Sequence, residues 1–291
     1  MVFKVTTEQK RKSNVTSNKE RPFYRRVAIH GKPKAGKTTA ALGLAENMQT
    51  HMKRFAMTKA QLEKEKWVKA DVLWLSADAN ATAGARARKI EVPEINLQGL
   101  IAEAPVGEVL EILEECYEDI ATHVAKAKPQ LIVVDTASAV DKPLLRYWEN
   151  NAPRTKTGSR DSFAIWRSMI ADHERLHTVV SGMSCDVVIL MHSKPRSESE
   201  SADKKARAQA IAGQMADIRF DFMYEDCANI YRRHNDLILV ADMEKKGGES
   251  SYALYKDEHA GFEAGCRFGD LVPSKIECSL WECYQKYIEV K

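Results

Sequence analysis

Gly31-Lys32-Pro33-Lys34-Ala35-Gly36-Lys37-Thr38-Thr39 fits the pattern G-x-x-x-x-G-K-[ST] at every defined position. Val27-Ala28-Ile29-His30 before it is a short apolar run that predicts a buried strand. Thr39-Ala40-Ala41-Leu42-Gly43-Leu44-Ala45 after it opens an apolar, helix-compatible run. Strand, loop and helix in that order are the context a phosphate-binding P-loop needs. Gly31 and Gly36 let backbone N–H groups turn toward phosphate oxygens, and the helix N-terminus adds positive potential. In this setting Lys37 is predicted to reach the β- and γ-phosphates and the Thr38 hydroxyl to hold Mg²⁺. Residues 31–39 are therefore the predicted nucleoside-triphosphate segment.

A chain of 291 residues can bury one large α/β domain with insertions. A formal net charge of +3 and a pI near 8.4 are too mild to demand a polyanionic partner, so the placement of the cations must decide. Six cysteines (116, 185, 227, 266, 278 and 283) show no C-x₂-C pairing and read as reduced thiols. With no secretory signal and no run of about 18 apolar residues, the expected setting is soluble and cytoplasmic, without a membrane partner.

Residues 1–22 are polar and basic and read as an N-terminal arm, leaving 23–291 as one ATPase-sized domain. Ala60 to Trp67 is a charged helical stretch, and Val72-Leu73-Trp74-Leu75-Ser76-Ala77-Asp78 a buried strand ending in a carboxylate. Apolar positions at helical spacing run through 107–127 until Pro129 breaks them. Leu131-Ile132-Val133-Val134-Asp135-Thr136 then places four aliphatics before an aspartate. A parallel strand covered on both faces must be continuously apolar, and ligands sit at the C-terminal ends of such strands. Asp135 is thus predicted to orient Mg²⁺ together with Thr38. Residues 150–162 are polar and carry Arg154, Lys156 and Arg160. Helical spacing returns over 163–180, and Asp186 to His192 is another buried strand. A second loop of low apolar content follows over 193–213, with Lys194, Arg196, Lys204, Lys205 and Arg207. Strands are expected at 216–224, 236–243 and 252–255, and a terminal helix from Leu280 to Val290.

In this order the parts resemble the RecA-fold recombinase ATPases, and more narrowly the Sak-type phage ATPases associated with single-strand annealing. The resemblance spans roughly residues 24–276. It implies a RecA-like P-loop fold with a mostly parallel central sheet flanked by helices, ATP and Mg²⁺ as cofactors, and assembly into a homo-oligomeric ring or filament. It also implies single-stranded DNA as partner, in annealing or strand exchange, in a bacterial host cytoplasm, with a single-strand-binding protein as a further partner. Loops 150–162 and 193–213 occupy the positions of the family's DNA loops, and their eight cations supply phosphate contacts. His192 stands where the family places a γ-phosphate sensor. Asp78 is the counterpart of the catalytic acid, one methylene shorter than the usual Glu, and strict register would offer Asn80 instead. Lys245 and Lys246 match lysines that relatives project onto a neighbour's γ-phosphate.

Two other classes remain open on the residues alone. A P-loop small-molecule kinase would use 193–213 as a lid, and a non-hydrolysing DNA-binding protein would use ATP to set its assembly state. His173-Glu174-Arg175-Leu176-His177 is a literal H-E-x-x-H, a zinc-protease signature. Its histidines share the helix face of Trp166, Met169, Ile170 and Val180, so they are expected to pack on the sheet.

Overall fold

Continuous apolar runs too short for helices form the centre of the molecule, and the segments between them carry helical periodicity. The computed structural model describes residues 24–48, 58–64, 66–79, 81–195, 218–246, 249–257, 264–276 and 279–288. β1 (Arg26–Gly31) leads through the P-loop into α1 (Lys37–Asn47). α2 (Lys59–Lys64), β2 (Val68–Lys69) and β3 (Val72–Ser76) follow, then α3 (Ala83–Ala87), β4 (Ile90–Glu91), β5 (Glu94–Ile95) and α4 (Leu97–Glu103). α5 (Val109–Ala127) precedes β6 (Leu131–Asp135), and α6 (Asp141–Asn151) and α7 (Ser162–Ser181) precede β7 (Asp186–Pro195). β8 (Ile218–Phe220), α8 (Glu225–His234), β9 (Leu237–Lys246), β10 (Glu249–Tyr255), β11 (Gly265–Cys266) and β12 (Lys275–Ile276) come next. α9 (Leu280–Cys283) continues into π-helix at Tyr284–Ile288.

The main sheet runs β12-β10-β9-β1-β7-β6-β3-β5. From β9 to β5 every pairing is parallel, while β10 and β12 extend the edge antiparallel. This is the mostly parallel α/β P-loop fold expected from the sequence. Strand side chains alternate between two cores. Ala28, Leu73, Ile132, Val187 and Ile189 pack with α5, α6, α7 and α8 on one face. Val27, Ile29, Trp74, Val133 and Leu190 pack with α1 and α9 on the other. Both faces are covered, so the central strands have no polar alternation to show. α5 illustrates the helix layer, burying Val109, Leu113, Cys116, Tyr117 and Ile120 at helical spacing.

Several elements differ from the sequence reading. The charged stretch from Ala60 is helical only to Lys64, and Trp67 lies beyond the helix end. β3 ends at Ser76, so Asp78 belongs to the turn after it. Of the strand expected over 216–224, the described residues form β8 only at Ile218–Phe220, and α8 begins at Glu225. α4, α6 and α8 were not anticipated, although each carries a helix-start signal. The Asn96 side chain caps Gly99 N at 3.0 Å, Pro143 sits in the first turn of α6, and Glu225 and Asp226 open α8 opposite Arg232, Arg233 and His234 at its end. The expected arm 1–22 lies outside the described residues.

α7 starts where the Asp161 carboxylate accepts from Phe163 N at 3.0 Å and Ala164 N at 3.2 Å. Asp161→Ala leaves those two donors without this partner and is expected to lower unfolding free energy by about 1 kcal/mol. Urea titration of the variant against wild type reads that difference, and an unchanged midpoint would dismiss the cap.

Candidate nucleotide site

The strand register brings the chemistry to one edge. Gly31 pairs with His192 and Ser76 with Asp135, so β1, β7, β6 and β3 all finish at the same side of the sheet. Two close approaches shape the loop between β1 and α1. A Cβ on Gly31 would lie 2.4 Å from the Ala241 carbonyl oxygen. One on Gly36, whose φ is +95°, would lie 2.5 Å from the Tyr252 Cβ. Strands β9 and β10 therefore mould the P-loop from outside.

Lys37 is buried, and its Nζ donates to Gly31 O at 3.0 Å and Lys32 O at 2.9 Å. Burial pulls this ammonium down to about 8, against the opposing pull of Asp135 and Asp78. Thr38 Oγ1 donates to Asp135 Oδ2 at 2.9 Å. Burial pushes the Asp135 carboxyl up to about 7. The Thr38 hydrogen bond lowers it, the Asp78 charge raises it, and Lys37 lowers it. Asp78 is held in the turn by its N–H to Asp135 O at 3.1 Å, and its Oδ2 meets His192 Nε2 at 3.0 Å. A neutral His192 protonated at Nε2 donates to that carboxylate. The His192 backbone N–H is fixed by Ser138 Oγ at 3.0 Å.

These groups surround a cavity of about 840 Å³ lined by Pro33, Lys34, Gly36, Lys37, Thr38, Thr39, Asp78, Asp135, Thr136 and His192. Thr136 Oγ1 and His192 Nδ1 are buried with no hydrogen-bond partner among the described residues. An ammonium, a helix N-terminus and a glycine-shaped loop fit a polyphosphate, and the hydroxyl and carboxylate oxygens of Thr38 and Asp135 fit Mg²⁺. Residues 24–268 match a family model described as an AAA domain. The chain belongs to this AAA family.

The AAA domain is thus an α/β P-loop ATPase domain. Among solved structures, a KaiC-like protein from the hyperthermophilic archaeon Pyrococcus horikoshii is similar over 80% of this chain and 78% of that one. The sequence identity is 11% and the TM-score 0.39. No curated protein matches in sequence. Among the described residues, no helix of the AAA domain is long and apolar enough to cross a membrane.

Sequence reasoning missed the far wall of the cavity. Arg88, Met243, Ser251 and Tyr252 line it beside Ala79. Arg88 follows α3 and Tyr252 lies on β10, so neither is tied to the P-loop by spacing. No motif flags them. Tyr252 packs on Gly36 and, with Arg88, gives the cavity an aromatic and a guanidinium surface.

The remaining predicted residues are distributed differently. Residues 154–160 form a tight turn closed by the Arg154↔Arg160 bridge. Arg154 Nη1 donates to Gly158 O at 2.8 Å, and Arg160 donates to Ala152 O and Asn150 O, so both guanidiniums brace their own loop. Lys156 is exposed at its tip. Lys194 pairs through its backbone with Arg219 in the β7–β8 ladder. Arg196, Lys204, Lys205 and Arg207, like Asn80, lie outside the described residues. Lys245 and Lys246 are on β9, in register with Ser250 and Glu249 of β10. The H-E-x-x-H histidines are both buried. His173 contacts Tyr231 and Asp141, while His177 packs its ring against Tyr231 and His234. Burial, then the charges of His234 and Arg26, hold His177 down to about 4.

The raised Asp135 carboxyl fixes a sign. Between about pH 4 and 7 the native state keeps a proton that the unfolded chain releases, so this group's contribution to stability falls as pH rises through that window. Asp135→Asn is expected to flatten this slope. In nucleotide-free protein the variant should gain on wild type by an amount on the order of 3–4 kcal/mol from the bottom to the top of the window. Parallel pH profiles of thermal unfolding would refute the assignment.

Proposed function

We propose that this AAA domain hydrolyses ATP and couples hydrolysis to single-stranded DNA, as a homo-oligomeric ring or filament in phage-type recombination by annealing or strand exchange. The observation that carries the reading is the place of His192. Its imidazole meets Asp78 at the nucleotide cavity, and the same strand, β7, runs on without a break toward the second cationic segment. A change at the γ-phosphate end of the cavity would therefore be passed along β7 to Ser193, Lys194 and Pro195, where the second cationic segment begins.

In this mechanism Lys37 exchanges its two loop carbonyls for phosphate oxygens and balances charge as it develops there. Thr38 and Asp135 would hold Mg²⁺, which shields the phosphate charge when bound. The Asp78 carboxylate orients the attacking water, and His192 holds that carboxylate in place. Lys245 or Lys246 of an adjacent copy would complete the charge stabilisation once subunits assemble. Arg88 and Tyr252, which line the same cavity, would offer a cation and a ring face to the nucleobase.

The Asp78–His192 hydrogen bond also supports a second reading, in which the occupied carboxylate does not activate water and ATP acts only as an assembly switch. Phosphate release from ATP, with and without single-stranded DNA, separates the two. Stimulation by DNA is expected, with Lys37→Ala at least about 100-fold slower. Hydrolysis that ignores DNA would end the coupling proposal. Bound ATP with no phosphate release would favour the switch.

A further inference from the structure

On the other side of β6 from the P-loop helix, three helices point unlike donors at one another. Asp141 opens α6, His173 lies on α7 and Cys227 on α8, and their ligand atoms fall within 4.8 Å of one another, all buried. None of the three lines the nucleotide cavity. We propose that Asp141, His173 and Cys227 form a buried three-ligand metal site that takes a borderline divalent ion, Zn²⁺ by preference, with water as the fourth ligand.

The donor set is one oxygen, one nitrogen and one sulfur. Zn²⁺ accepts that mixture, whereas Mg²⁺ and Ca²⁺ require oxygen. Asp141 Oδ1 and His173 Nε2 are 3.2 Å apart. With bonds of about 2.0–2.1 Å, two ligand atoms on a tetrahedral ion are separated by about 3.3 Å. The other Asp141 oxygen is already fixed, accepting from Met223 N at 2.7 Å, which leaves Oδ1 turned to the cluster. Among the described residues no lysine or arginine pairs with this buried carboxylate, so its charge lacks the usual cationic partner.

The surroundings also hold the imidazole as metal sites do. His173 Nδ1 lies 3.1 Å from Tyr231 Oη, and the ring is flanked edge-on by Phe222 at 5.0 Å. When Nδ1–H donates to Tyr231, the Nε2 lone pair faces the cluster, the outer-sphere arrangement that orients ligating histidines. Without the ion the opposite tautomer serves the same heavy atoms, with Nε2–H donating to Asp141 and Tyr231 O–H to Nδ1. The imidazole stays neutral while its proton changes nitrogen, and the thiol proton of Cys227 leaves to solvent as the metal–sulfur bond forms. His177, the second histidine of H-E-x-x-H, plays no part. The motif contributes one ligand, and the other two come from residues distant in sequence.

The test uses the full-length protein, stripped with a chelator, reloaded with Zn²⁺ or Co²⁺ and desalted. Expected are about one zinc per chain and, for cobalt, intense visible bands with a thiolate charge-transfer band in the near ultraviolet. Cys227→Ser and His173→Asn should lose both signals, and His177→Asn and Lys37→Ala should keep them. Zinc should also raise the unfolding temperature of stripped wild type and leave that of Cys227→Ser unchanged, which guards against a variant that merely folds poorly. Wild type that retains no zinc and gains no thermal shift would overturn the site. So would His177→Asn losing metal as His173→Asn does.

Discussion

Thr38 and Asp135 stand 97 residues apart in sequence, and their hydrogen bond exists only because four strands keep register across the sheet. A slip of one residue in β6 or β7 would exchange the side chains of its two core faces and carry Asp135 or His192 away from the P-loop. The apolar packing on both faces therefore fixes the chemistry as well as the stability. Ile132, Val134, Val187 and Ile189 seat in one layer, Val133, Val188 and Leu190 in the other. The polar ends of the strands have no freedom left. The buried ammonium of Lys37 and the buried carboxyl of Asp135 each oppose folding when charged, and each partly relieves the other.

β7 has a second role beyond the sheet edge. His30 Nδ1 meets Ser193 Oγ at 2.8 Å, and its ring packs against Phe220 with centroids 4.5 Å apart. Phe222 then stacks on Tyr231 at 5.0 Å and meets His173. The residue before the P-loop is thus packed against both strands of the β7–β8 ladder. One ring pair, His30 with Phe220, lies beside the P-loop strand, and a second group, Phe222, Tyr231 and His173, lies in the helical layer, joined by the short backbone link from Phe222 N to Phe220 O.

The parallel core and the P-loop were legible in the sequence because each rests on a local pattern. Gly31 to Thr38 carries its own meaning, and Leu131 to Asp135 is apolar because both its faces are covered. Asp78 was legible only approximately, since its strand stops two residues earlier and the turn redirects the side chain toward His192. Arg88 and Tyr252 were illegible. Their membership of the site comes from the packing of α3 on α1 and the antiparallel addition of β10, which no spacing records. α6 and α8 were missed for another reason: their apolar faces are short and interrupted by charge, so their first-turn residues, Pro143 in one and Glu225 and Asp226 in the other, were better signals than their periodicity. The H-E-x-x-H pattern was legible and misleading, because two histidines on one face describe a packing surface as well as a ligand pair.

The two close approaches at the P-loop have a consequence for synthesis of the chain. Gly31 is shaped against Ala241 and Gly36 against Tyr252, and the neighbouring contact from Arg26 N to the Asp236 carboxylate closes a span of 210 residues. A ribosome that has released only the motif and its helix has made a loop without its outer mould. Strand β1 is in the same position, since both its neighbours, β7 and β9, emerge late. Contacts of such long sequence separation form slowly. The earliest part of the domain to be made is among the last to reach its final form, so the nascent protein cannot engage nucleotide in its native manner until nearly all of its sheet has been translated.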